Sequence, residues 1–223
     1  MVSGGDVSVD ALVVERAGGL VRPQGSVGLV TPSGIASDKT ASVFFKGVAA
    51  GSRLKALYDV ENRRTRYDAS PFFPDVDSRF KFCAMISSPA RRFEAANCAF
   101  FLQDVSELDD PERCFPLTAA DFARVNPNTG TAPIFRSRRD AALTTAIYGR
   151  LPVLVDRSDG GEKKAWPVRY MRMFDMTNDS GLFRTRRELE EKEGAWPAGG
   201  NRWQGKSGEW LPLYEGKMVQ AFD

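Results

Sequence analysis

Runs of strand-forming residues, punctuated by turn chemistry, constrain this chain most. Ser26–Val30 (SVGLV), Leu54–Val60 (LKALYDV), residues 79–87 and Ala96–Gln103 (ANCAFFLQ) all fall within residues 1–103. Over 79–87, Phe80, Phe82, Ala84 and Ile86 alternate with Lys81, Cys83 and Met85, the period of two expected of a strand. Pro23-Gln24-Gly25 breaks a weak amphipathic helix over 8–22, and Ser26–Val30 reads as a buried strand. Thr31-Pro32-Ser33-Gly34 then makes a tight loop at its carboxyl end. Asp38 or Ser37 is placed to cap a helix running to about Ala50. Glu61-Asn62-Arg63-Arg64 leads from the next strand into a polar loop ending at Phe72-Phe73-Pro74. Strand, helix, strand and then further strands describe part of an open α/β sheet.

The composition changes at residues 104–116 (DVSELDDPERCFP), which read as an acidic linker and place a domain boundary there. Thr118-Ala119-Ala120-Asp121 is a capping pattern for a short helix to Val125. Asn126-Pro127-Asn128-Thr129-Gly130 follows with turn chemistry: Asn bonds its own backbone, Pro fixes φ, and Gly accepts positive φ. Ser137-Arg138-Arg139-Asp140 has the spacing of a capping box, and Leu143, Ala146 and Ile147 repeat at helical spacing. A helix from about Arg138 to Gly149 is predicted, with Pro152-Val153-Leu154-Val155 as a buried strand after it. Asp156–Lys164 is a surface loop, and 168–177 (VRYMRMFDMT) has the pattern of another strand. A charged helix follows over Glu188–Glu193. Trp196, Trp203 and Trp210 dot a Gly-rich tract that reads as a surface loop pinned by aromatics, against the alternative of a base-stacking platform.

Charge marks one place. Arg136, Arg138 and Arg139 crowd the predicted helix start, where the macrodipole is already positive and acidic residues are the usual choice. Orphan N–H groups and three guanidiniums together favour an anion, a phosphate in particular. The competing reading is a solvated basic surface with internal acidic partners. The net charge is only +2, so any nucleic-acid surface is a local patch.

Several chemistries are excluded outright. The chain has no histidine, which removes imidazole metal sites and Ser-His or Cys-His catalysis. Cys83, Cys98 and Cys114 form no CxxC pair, and Cys83 and Cys98 sit in apolar surroundings where a thiol acts as a small hydrophobe. No apolar run is long enough to cross a bilayer, and the first residues lack the order of a signal peptide, so a cytoplasmic location is expected.

A series of blocks then occurs in a telling order. Gly28–Ala36 (GLVTPSGIA), Tyr58–Arg63 (YDVENR), Phe73–Phe82 (FPDVDSRFKF) and the 124–155 stretch come first. Phe174–Ser180 (FDMTNDS), Phe183–Arg186 (FRTR) and Leu211–Met218 (LPLYEGKM) follow. The series resembles the large adenine-specific DNA methyltransferases of fused restriction–modification systems, from about residue 26 onward. The resemblance implies a segment: residues 1–103 as the C-terminal part of a methyltransferase domain, 104–116 as a linker, and 117–223 as the start of a DNA target-recognition region. The implied fold class is α/β, a partial Rossmann-like methyltransferase sheet followed by a mixed α+β DNA-recognition region.

The family moves a methyl group from S-adenosylmethionine to the exocyclic amine of a flipped adenine. Its glycine loop and Asn-Pro-Pro-aromatic motif are absent from this sequence, so the cofactor is expected of the complete family member rather than of this chain alone. Whether the chain is itself an enzyme therefore stays open, and no catalytic residue is assigned. Duplex DNA is the expected partner. Arg136, Arg138 and Arg139 would contact backbone phosphates, which position a duplex rather than read it. Asn126 and Asn128 would shape the adjoining loop. Ser33, Glu61, Asn62 and Arg63 lie beyond strand ends and are candidates for a pocket rim, with turn residues as the plainer reading. The alternative is a non-catalytic DNA- or protein-interaction module that supports a separate chain carrying the missing half.

Overall fold

A central sheet of five strands, seen in a computed structural model, takes the order β1-β3-β2-β4-β5. The structure describes residues 9–169, 171–172, 174–206 and 208–214. The strands are β1 (Val27–Pro32), β2 (Leu54–Glu61), β3 (Lys81–Ser87), β4 (Ala96–Leu102) and β5 (Phe115–Leu117). β3 pairs antiparallel with both β1 and β2, so β1 and β2 run the same way, with β3 inserted between them. β4 is parallel to β2, and β5 closes the far side antiparallel to β4. Three strands of one direction therefore end together, at Pro32, Glu61 and Leu102.

Burial follows position in the sheet. β4 reads as a nearly continuous apolar run, ANCAFFL, because a central strand is covered on both faces. β1, expected as a buried strand, is instead an edge: Val27 and Thr31 are buried while Val30 faces solvent. Its sequence is apolar enough for a central strand, and only its place in the sheet makes the difference.

Helix α1 (Val9–Gly18) packs on β1 and ends at the glycine pair, short of the 8–22 span expected. Gly34, expected to end a tight loop, instead opens a short α2 (Gly34–Ser37), and a 3-10 turn over Lys39–Ala41 leads into α3 (Ser42–Ala50). Asp38 sits at the N-cap of that turn without a side-chain cap bond. α3 turns Phe45, Val48 and Ala49 into the core, where Phe45 meets Phe122 edge-on at 5.8 Å. Leu57, Met85, Cys98, Phe100 and Phe115 complete the centre of that core. Each such large side chain contributes about 1.5–3 kcal/mol through its burial.

Segment 104–116 is structured. A 3-10 helix over Val105–Asp109 is closed by a complete capping box between Asp104 and Glu107, and β5 follows directly. The chain divides into two compact units, the first ending at Pro167 and the second starting at Val168, so this segment lies inside the first unit. Helix α4 (Ala119–Val125) has the full Thr118–Asp121 capping box that its sequence announces. Helix α5 spans Arg138–Arg150 as expected. The strand expected at Pro152–Val155 shrinks to β6 (Val155–Asp156), paired with β7 (Lys163–Lys164) around the charged loop, and Leu154 is exposed rather than buried.

In the second unit, no strand is present over the described residues of 168–177; residues 170 and 173 lie outside the description. Helix α6 (Arg186–Glu191) is capped reciprocally by Thr185 and Glu188 and buries Leu189. The Gly-rich tract is a small antiparallel sheet of β8 (Trp196–Gly199), β9 (Arg202–Gly205) and β10 (Gly208–Trp210). Trp203 and Trp210 are register partners, with Arg186 and Arg184 stacked over their rings. The tryptophans thus hold a sheet together, beyond the pinned loop that was expected.

Candidate functional site

The carboxyl ends of β1, β2 and β4 bring together a polar cluster. Ligands of open α/β sheets bind in the crevice beyond such ends. Ser33, just past β1, donates from Oγ to Asp59 Oδ1 at 2.5 Å. Asp59 sits in β2 and is 4% exposed, a buried charge that needs partners. It has them: Oδ2 accepts the backbone N–H of Phe101 at 3.2 Å and faces Lys81 Nζ at 3.5 Å. Lys81, the first residue of β3, also lies 3.8 Å from the centroid of the Phe101 ring.

Phe101 is the unusual member. Its φ is +56°, a left-handed conformation that a bulky residue rarely adopts and that costs of order 1–3 kcal/mol. The β2–β4 register shifts between Tyr58 and Val60, so the chain bulges here. Its carbonyl accepts from Arg66 Nη2 at 2.5 Å and from Arg113 Nη2 at 3.1 Å. Charge-assisted bonds at both the N–H and the carbonyl offset the strain.

The other rim candidates separate. Glu61 accepts from Gln103 Nε2 at 2.5 Å and from the Arg63 guanidinium at 3.3–3.4 Å. Burial opposes its ionisation, but the bonds from Gln103 and Arg63, helped by the Lys81 charge, prevail and hold its carboxyl below the usual range. Arg63 is the solvent-facing member of that pair. Asn62 turns inward and is 1% exposed. Its amide donates to the carbonyls of Phe73 and Val76, both at 3.0 Å, and accepts from the Phe73 N–H at 2.8 Å. Asn62 therefore staples the loop after β2 and presents nothing to a pocket.

The turn before α5 is built from its asparagines. Asn126 Nδ2 donates to the Thr131 carbonyl at 3.0 Å. Asn128 bridges to the β6 region, donating to the Val155 carbonyl at 2.8 Å and accepting from the Arg157 N–H at 2.6 Å. Gly130 has φ +62°, and a Cβ there would come within 2.7 Å of the Lys46 side chain, so both conformation and space require glycine. Ser137 Oγ accepts from the Asp140 N–H at 3.1 Å; the return bond that would complete a capping box is missing among the described residues. The Arg138 N–H is taken by the Glu112 carbonyl at 2.8 Å.

Arg136, Arg138 and Arg139 are exposed, and among the described residues none forms an ion pair. Arg64, Arg66 and Arg113 nearby behave differently: Arg64 pairs with Asp104, and the other two share Glu107. Arg136 joins the two regions, since its guanidinium carbon lies 5.4 Å from the Phe101 ring centroid, on a ring that Lys81 also approaches. Arg136 thus links the cationic helix start to the Phe101 end of the Ser33–Asp59 cluster.

Asp59, Lys81 and Phe101 were not singled out by sequence reasoning. The legible signal was a carboxylate inside the apolar run Leu54–Val60 and a lysine between Phe80 and Phe82. The cavity beside Ser33, Asp59, Cys83 and Phe100 holds about 10 Å³, room for one water at most. Gly34, the glycine nearest it, is small because Asp38 Oδ2 would sit 2.5 Å from a Cβ. A cavity of that size does not hold a nucleotide cofactor. No group of three or more metal-ligating side chains occurs among them, and no helix is long and apolar enough to cross a membrane. No protein-family model, curated protein or solved structure matches the chain.

Proposed function

We propose that this chain is part of a site-specific adenine DNA methyltransferase or restriction–modification protein and supplies it with a duplex-binding surface. The observation that carries this reading is the contact of Arg136 with Phe101. It sets Arg136, the first of three exposed arginines without acidic partners among the described residues, beside the carboxyl ends of parallel strands, where a nucleic-acid backbone and a reacting base would both lie. The sequence blocks from Gly28–Ala36 to Phe183–Arg186 support it further. In this reading Arg136, Arg138 and Arg139 neutralise phosphates, while Asn126 and Asn128 hold the turn that aims them. Methyl transfer from S-adenosylmethionine belongs to the complete family member.

The test is fluorescence anisotropy of labelled duplex DNA across a salt series. Binding that weakens steeply with salt, and an Arg138→Ala/Arg139→Ala variant whose logarithmic salt slope falls by about 2, would support the phosphate role. Unchanged affinity in that variant would overturn it.

A second reading, a non-catalytic module that supports another chain, is favoured by one observation. β1 pairs on one side only among the described residues, and its Val30 is exposed. Such an edge accepts a further strand.

A further inference from the structure

Helix α5 is built the wrong way round for a core helix. An amphipathic helix normally turns its apolar stripe inward. Here Ala141 is the only buried residue of the helix, while Leu143, Ile147 and the following Leu151 are 61%, 46% and 53% exposed. Spaced four apart, these three side chains form one stripe along the outer face. Beside it runs an open groove of about 590 Å³ between α4, α5 and β5, with Ala142 and Ala146 on the α5 side and Phe115 and Leu117 opposite. Arg124, Arg138 and Arg150 also line this groove, with Asp121, which pairs with Arg124, as its one carboxylate.

We propose that this face of α5 docks an acidic amphipathic helix of a partner protein. Shape and charge both point there. Pro116 sits in the edge strand β5 and brings no N–H for a ladder, so the groove is not built to add a strand. Small residues along α5 let a second helix approach closely, as ridges-into-grooves packing requires. Arg136, Arg138, Arg139 and Arg150 stand against Asp140 alone on this helix and its lead-in, all exposed. A second copy of the chain is disfavoured, because each copy would bring the same excess of arginine to the shared face. Duplex DNA leaves the leucine stripe uncovered, since nucleic-acid interfaces are polar.

The experiment uses the whole chain and a labelled synthetic amphipathic helix carrying a leucine stripe flanked by glutamates. A twin peptide has lysines in place of the glutamates. Saturable binding of the glutamate peptide alone is expected, about thirtyfold weaker for Ile147→Glu, where a central anchor is lost. Arg150→Glu is expected to weaken the glutamate peptide and to admit the lysine peptide. Both positions are exposed, so the fold should stay as it is, and Ile147 lies outside the phosphate-binding set, so Ile147→Glu should retain duplex binding. Equal binding of both peptides, or of neither, would overturn the proposal. So would self-association of the chain that Ile147→Glu abolishes, or loss of duplex binding in Ile147→Glu, because the stripe would then belong to a second copy or to DNA.

Discussion

The Ser33 hydroxyl donates to Asp59 at 2.5 Å, tying the end of β1 to β2 across the strand that separates them. The same carboxylate takes the Phe101 N–H and faces Lys81, so one side chain gathers four elements of the sheet.

Asp59→Ala should therefore destabilise the chain far more than Ser33→Ala. Removing the carboxylate strands the Lys81 ammonium and the Phe101 N–H, a loss on the order of 3–5 kcal/mol. Removing the hydroxyl deletes one bond, about 1 kcal/mol. Urea unfolding of the two variants against the parent reads the difference. Equal losses would mean that Asp59 is not the centre of the network.

Glu61 makes a prediction about acid. Its carboxyl titrates below its ordinary value of 4.5 in the folded chain, so its bonds to Gln103 and Arg63 stabilise fully above that value. The contribution is lost as the pH falls through the lowered folded value. Glu61→Gln should flatten this limb of the stability–pH curve without changing the plateau's slope near neutrality. A curve as steep as the parent's between pH 5 and 2 would assign the acid sensitivity elsewhere.

The thiols should rank by burial. Burial pushes Cys83 up to about 11, despite a bond with Thr31, and pushes Cys98, the most buried of the three, up as well. Cys114 is only partly covered and is raised less steeply by the same cause. Alkylation in the native state at mildly alkaline pH should label Cys114 first and the other two only on unfolding. Early labelling of Cys98 would contradict the central position of β4.

Asn62→Ala removes three hydrogen bonds from a fully enclosed amide and frees the loop after β2. A loss of roughly 2–3 kcal/mol is expected from the bonds alone. Trypsin should then cut at Arg79 faster than in the parent. Unchanged cleavage would show that the phenylalanine contacts at Phe72, Phe73 and Phe82 hold the loop without Asn62.

Much of the fold was legible where a local rule decides it. The strands at 54–61, 81–87 and 96–102, the capped helices at 119–125 and 138–150, and the turn around Gly130 follow from alternation, capping and φ demands. What failed depended on distant partners. Leu154 sits in the apolar quartet Pro152–Val155 that looks like a buried strand, and Leu151 precedes it, yet nothing in the described structure covers either leucine. The acidic composition of 104–116 suggests a linker, but Glu107 is buried between Arg66 and Arg113, whose codons lie on either side of it. Ser33 stood out as a strand-end residue, but its partners Asp59 and Phe101 did not, because only the sheet order sets them beside it.

That sheet order also dictates a schedule. β3 lies between β1 and β2 although it follows both in the chain. During synthesis β1 and β2 emerge with no partner for their facing edges, and neither ladder can close until residues 81–87 have left the ribosome. Long-range pairing of this kind is slow, and unpaired strands are sticky while they wait. The slowest step in forming this unit is thus expected to be the insertion of one strand into a gap that the earlier two must keep open.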